Sequence, residues 1–212
     1  LYLDIGAANR KEAEQFVQPG TYVHFRSGYT LLGSGKLVRS KALDDRIGCA
    51  ILLDLLQKDV PYDFTAAFHV QEEIGLRGAK AAAYTINPDF ALILETTTAA
   101  DFSSAQGDAK VCQLGKGPVV SFMDRSTLYD RELYRLAFSL CEEAGIPCQT
   151  KTRIAGGNDS GAVHVSRNGV RTLAISAPCR NLHSPSCVAN LSDIQHCATL
   201  TALLLQQAGS LL

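Results

Sequence analysis

Apolar runs of strand length alternate with longer helical stretches from about Leu37 onward, the pattern of an α/β layer fold. Residues 47–56 carry apolar side chains thickly enough for a buried helix, and residues 64–70 predict a buried strand that ends in two adjacent acids. Residues 76–84 form a short Ala-rich helical pattern. Residues 90–94 are a continuous apolar run closed by Glu95, as expected of an interior strand. The spacing predicts an amphipathic helix over residues 131–144, stopped by Gly145 and Pro147. A second interior strand follows at residues 173–176, and a long closing helix at 191–207.

The first thirty-odd residues are different. Residues 2–5 and 22–25 look like short strands, residues 11–17 like one amphipathic helix turning into Pro19-Gly20, and Gly28, Gly33 and Gly35 mark a loop. Gly33-Ser34-Gly35-Lys36 is not a phosphate loop. Thr30 stands where its first glycine belongs, and Leu37 follows the lysine where Ser or Thr is required. The pattern holds no internal repeat and no low-complexity segment.

Composition narrows the function classes. The chain has 212 residues, 46% hydrophobic and 19% charged, enough for one large core. A formal net charge of −1 supplies no basic field, which argues against nucleic acid or an anionic membrane as partner. The longest apolar runs fall far short of the ~20 residues of a membrane span. No signal peptide is recognisable, and the absence of an initiator Met points to a start inside a longer protein. The seven cysteines lack the two-residue spacing of a zinc knuckle and are odd in number. They fit free thiols in a reducing compartment, the cytoplasm, better than a Cys179–Cys187 disulfide.

The candidate chemistry sits at element ends. Glu72 and Glu73 close one predicted strand, and a desolvated carboxylate there needs a cation or hydrogen bonds. Side chains of successive strand residues point apart, so one acid can hold a metal while the other stands over a water. Glu95 ends the next apolar run. Asp44 and Asp45 open the helix that begins near Arg46, where an isolated Asp-Asp is more often a cap. His183 lies beyond the strand at 173–176, beside Pro185. In open α/β sheets ligands gather outside the carboxyl ends of strands, and carboxylates with an imidazole suit zinc, cobalt or manganese.

Four ordered motifs carry a resemblance. Ser40-Lys41-Ala42-Leu43-Asp44-Asp45-Arg46-Ile47-Gly48-Cys49, Gln71-Glu72-Glu73-Ile74-Gly75-Leu76-Arg77-Gly78-Ala79, Gly156-Gly157-Asn158-Asp159-Ser160-Gly161-Ala162-Val163-His164 and Arg180-Asn181-Leu182-His183-Ser184-Pro185 resemble the signatures of the glutamyl, or TET, aminopeptidases. Some members of that family carry the older label cellulase M or endoglucanase. The resemblance covers essentially the whole chain. It implies a three-layer α/β domain, a mixed sheet with helices on both faces, over residues 37–212, and a remnant of a β-rich inserted dimerisation domain over residues 1–36.

It also implies a dinuclear metalloaminopeptidase using zinc or cobalt, assembled from dimers into a homo-oligomeric dodecamer and acting on peptides. By position, Asp44 would bridge two metals, Glu73 and His183 would complete one site, Glu95 would bind the second metal, and Glu72 would be the general base. Asp45 would cap or support, and the motif at 156–164 would lie near the site without a ligand role. The family's second metal also takes a histidine from an amino-terminal His-x-Asp motif. The only histidine before Asp44 is His24, outside that pattern. The amino-terminal part of the catalytic domain is thus expected to be missing, with one metal or none in this chain and low activity. A metal-dependent deacylase on the same scaffold and a catalytically incomplete assembly module are the alternatives. An endoglucanase fits poorly, because glycosidases set two carboxylates across a sugar bond without a metal.

Overall fold

The computed structural model describes residues 2–208. Its frame is a six-stranded mixed sheet in which β5 (Arg171–Arg180) pairs with three neighbours. Along one edge β5 pairs in parallel with β3 (Phe90–Thr98), from Phe90 opposite Arg171 to Thr98 opposite Cys179. Its other edge is shared by β4 (Val119–Val120) and β6 (Cys187–Asn190), both antiparallel. The sheet then continues through β2 (Leu37–Ser40) to β1 (Thr30–Leu32). β1 and β2 form a hairpin whose turn holds Gly33 and Gly35 at positive φ.

Helices cover both faces. α2 (Leu43–Leu56), α4 (Arg131–Glu143) and α6 (Leu191–Ala208) close the larger core over β5, with Leu55, Leu133, Leu173, Ile175, Leu200 and Leu204 at its centre. α3 (Arg77–Ile86) and α5 (Ser160–Val163) form a smaller cluster through Ala79, Ala83, Val163 and Val170. β3 serves both: Phe90, Leu92 and Leu94 meet the larger core, Ala91 lines the smaller one, and Ile93 touches both.

α4 follows from its sequence in every part. Asp130 caps it, with Oδ1 accepting from the N–H groups of Glu132 and Leu133 at 2.9 Å, worth ~1 kcal/mol. Leu133, Ala137, Leu140 and Cys141 recur on one face and are buried. Gly145 then takes a positive φ, and Ile146 N–H returns to the Cys141 carbonyl.

Other expectations are corrected. Residues 64–70 are extended but belong to no ladder among the described residues, and Phe68 and Val70 are 48% and 68% exposed. An apolar run becomes a strand only when a neighbour takes its hydrogen bonds, and the described residues supply no such neighbour. Residues 2–5 and 22–25 are likewise unpaired and exposed, and the first helix, α1, is the single turn Arg10–Ala13. Glu95 does not end β3. The β-branched Thr96, Thr97 and Thr98 extend the strand against Ala177, Pro178 and Cys179. All seven cysteines, Cys179 and Cys187 included, are free thiols. No helix among the described residues is long and apolar enough to cross a membrane.

Candidate metal centre

Three loops deliver three side chains to one point. Asp44 lies just before the regular part of α2, where it and Asp45 keep non-helical backbone angles. Asp45 is the cap: its Oδ1 accepts the Gly48 N–H at 3.0 Å. Gly48 matters here because a Cβ would run into the Asp45 carboxylate and the Leu94 carbonyl, so its absence lets α2 lie against β3.

Glu73 stands in the loop between the extended segment and α3. That loop is tightly wound: Gln71, Gly75 and Leu76 all have positive φ, and the Gly75 and Leu76 N–H groups both bond the Glu72 carbonyl at 3.0 Å. His183 occupies the turn between β5 and β6, also at positive φ, where the Ser184 hydroxyl accepts the Ser186 N–H.

His183 Nε2 lies 3.3 Å from Asp44 Oδ2 and 3.5 Å from Glu73 Oε2. One donor atom from each residue falls within 4.8 Å of the others. Bonds of about 2.0–2.2 Å arranged tetrahedrally place ligand atoms about 3.3–3.6 Å apart, so the two short spacings suit one shared zinc-sized ion. Asp44 is mostly buried at 17% side-chain exposure, whereas Glu73 and His183 are open at 59% and 65%. An open position beside three protein donors leaves room for water or substrate.

The surrounding field is strongly acidic. Burial, then the Glu73, Asp159 and Asp44 carboxylates, push Glu72 up to about 7, with His183 opposing. Burial pushes Asp45 to about 7 against its bond from Gly48, and Asp44, Glu72 and Asp159 add to the rise. Cation binding would relieve all of these repulsions.

Glu95 lies outside the three-residue cluster. Burial pushes its carboxyl to about 8, opposed by hydrogen bonds from Asn158 and Ser176. Asn158 Nδ2 donates to Glu95 Oε1 at 2.9 Å and to the Tyr129 hydroxyl at 2.8 Å, and Ser176 Oγ donates to the same Oε1 at 3.1 Å. Next to Asn158, Asp159 Oδ2 pairs with His69 Nδ1 at 2.7 Å. Sequence reasoning assigned no role to Asn158, Tyr129 or His69. The motif at 156–164 was a signal for the first, while Tyr129 and His69 stand in no motif of their own. An open cleft of about 720 Å³ lined by Leu76, Lys80, Tyr84, Gly161 and Arg167 borders the Glu72 loop.

A family profile described as M42 glutamyl aminopeptidase matches residues 1–200. A protein of Acetivibrio thermocellus, named as a candidate aminopeptidase, is 37% identical over 202 residues, covering 94% of this chain and 60% of its own length. Among solved structures, an aminopeptidase of the archaeon Desulfurococcus kamchatkensis superposes with a TM-score of 0.87 at 30% identity, over 96% of this chain and 58% of that one. The TET1 peptidase of Pyrococcus horikoshii, described as assembling into a tetrahedron or a large octahedral shell, gives 0.80 at 34% identity, over 95% and 59%. The chain thus spans about 60% of the length of these relatives.

Proposed function

The chain belongs to the M42 glutamyl aminopeptidase family, and from that membership we propose that the protein removes amino-terminal residues from peptides at a dinuclear metal centre. The observation that carries this reading is the meeting of one donor atom each from Asp44, Glu73 and His183 within 4.8 Å. Asp44, Glu73 and His183 would hold one ion, and Asp44 with Glu95 would contribute to the second. Bound zinc or cobalt supplies Lewis-acid polarisation of the scissile carbonyl and makes an attacking water more acidic.

Glu72 is the general base. Its half-buried carboxyl stands beside the cluster, among the Glu73, Asp159 and Asp44 carboxylates, and would take a proton from water and return it to the departing amine. Glu72 and Glu73 divide the labour: adjacent residues in a tight loop send their carboxylates to different tasks.

Residues 1–36 belong to an inserted dimerisation domain in this reading. Their exposed Tyr22, Val23, Phe25, Tyr29 and Leu31 are apolar surface for a second copy to cover, and the assembled form is a dodecamer built from dimers. The free thiols fit a cytoplasmic protein.

Metal analysis run beside a peptidase assay tests the proposal. The expected result is one tightly bound zinc or cobalt ion per 212-residue chain, lost in His183→Ala. In the protein extended to its relatives' length, release of amino-terminal residues from unblocked peptides should be lost with it. Metal binding indifferent to His183→Ala overturns the site. Action confined to N-acyl substrates, with free-amino peptides untouched, replaces the aminopeptidase with a deacylase.

A further inference from the structure

We infer that Asn158 and Tyr129 are positioning residues that aim Glu95, locking one of its carboxylate oxygens so that the other is presented as a metal donor. This rests on the proposed role of Glu95 as a ligand of the second ion.

The direction of each hydrogen bond is determined by its neighbours. Asn158 Oδ1 accepts the Ser160 N–H at 2.8 Å, so the amide cannot flip without setting its NH2 against that N–H. Its Nδ2 must therefore face Glu95 Oε1 and the Tyr129 oxygen, and both of its hydrogens are used. Tyr129 accepts from Asn158 and passes its own proton to Asp124 Oδ2 at 2.6 Å. Burial and that bond hold the Tyr129 hydroxyl far above its ordinary pKa, so it stays a donor.

Asp124 is anchored in turn. Its Oδ1 accepts the N–H groups of Ser126 and Thr127 at 2.7 and 2.8 Å, and the Ser126 hydroxyl at 3.0 Å. The relay runs from backbone to Asp124, Tyr129, Asn158 and Glu95, and Asp124, Tyr129 and Asn158 are all buried. From the other side, Ser176 is the register partner of Glu95 across β3 and β5 and bonds the same Oε1. Among the described residues, both hydrogen bonds to the Glu95 side chain thus fall on one oxygen, which restrains its rotation. A half-satisfied glutamate with three rotatable bonds would sample many orientations and lose entropy on binding an ion.

Equilibrium dialysis of the 212-residue chain against zinc, from micromolar to millimolar, separates the two claims. Wild type should bind one tight ion and a second, weaker one that Glu95→Gln removes. Tyr129→Phe and Asn158→Leu should weaken that second ion by about 10–100-fold and leave the first unchanged. The metal-free melting temperature controls for folding. In Tyr129→Phe it should fall, because buried Asp124 and Asn158 each lose a partner, but the variant should still melt cooperatively, and its zinc-induced rise at millimolar metal, taken from its own metal-free value, should shrink. A Glu95-dependent second ion that binds equally well in both variants overturns the positioning role and spares Glu95 as ligand. Absence of any Glu95-dependent ion overturns both.

Discussion

His183 Nε2 and Asp44 Oδ2 stand 3.3 Å apart, although one comes from the turn after β5 and the other from the entrance to α2. Glu73, from a third element, stands 3.5 Å from the same nitrogen. The β2–β6 ladder, with Ser40 opposite Cys187, ties the entrance of α2 to the turn after β5, whereas the Glu73 loop joins no ladder among the described residues, so the meeting of all three also depends on that wound loop holding its shape. Three donors with two carboxylates among them form a site whose repulsions fall when a cation enters.

His183→Ala should cost the chain its tight ion with almost no loss of metal-free stability. The side chain is 65% exposed, and surface substitutions of this kind usually stay within about 0.5 kcal/mol. Metal-free and metal-loaded melting curves of the two proteins check it: wild type should gain melting temperature with zinc, the variant little or none. An equal gain in both would remove His183 from the ligand set.

Glu72→Gln and Glu73→Gln should fail differently. Glu72→Gln removes a proton acceptor and lowers turnover by about 10²–10⁴-fold with metal content retained. It also relieves the repulsion with Glu73, Asp159 and Asp44, so the metal-free variant should be no less stable than wild type. Glu73→Gln should instead lose metal. Metal content and kcat, measured on both variants in the extended protein, decide the matter; the reverse outcome exchanges the two roles.

The parts of this fold that were readable are those whose signals are local. α4 was legible from its apolar spacing and the Gly145 and Pro147 stop, because a helix satisfies its backbone within itself. Residues 64–70 misled because strand identity belongs to a ladder, and apolar content cannot report a missing neighbour. β4 and β6 are too short to leave a pattern, and the polar Thr96–Thr98 run concealed the true end of β3. Within the site, acids and a histidine at element ends marked Asp44, Glu73 and His183. Tyr129 and Asn158 could not be ranked, because their importance lies in which partners tertiary packing sets beside them.

Stability of the metal-free chain should fall as pH rises from about 4.5 to about 8. Asp45, Glu72 and Glu95 have folded values of about 7, 7 and 8, all raised above their unfolded ones. Between the unfolded and folded values the native state holds more protons than the unfolded state, so raising the pH favours unfolding. The contribution is complete below the unfolded values and is lost as pH climbs through the folded ones. Zinc should flatten the slope near neutrality, because ions compete with those protons. Denaturant midpoints at pH 5, 6, 7 and 8, with chelator and with zinc, measure it. A metal-free chain that grows more stable over this range would contradict the acidic environment deduced for the three groups.

Gly78→Ala sets helix propensity against loop geometry. In an exposed helix interior the change would stabilise by ~1 kcal/mol, since alanine is the better helix former. At this position the new Cβ would stand 2.6 Å from both the nitrogen and the carbonyl oxygen of Val70 and 3.3 Å from the His69 Cβ. Those contacts are backbone rather than the end of a flexible side chain, and the Gly78 N–H bonds the Val70 carbonyl at 3.0 Å. The clash must therefore push the extended segment away from α3, and overpacking of this kind costs about 1–3 kcal/mol. Glu72 and Glu73 lie on the loop between those two elements, so the displacement should reach the site. The expected outcome is a lower melting temperature together with weaker metal binding, although Gly78 touches no ligand. A control at Ala82, whose substitution by Ser leaves the Gly78 contact intact, should keep its metal. If Gly78→Ala melts higher than wild type and binds zinc equally well, the close approach of α3 to residues 69–70 does not hold the Glu72–Glu73 loop in place.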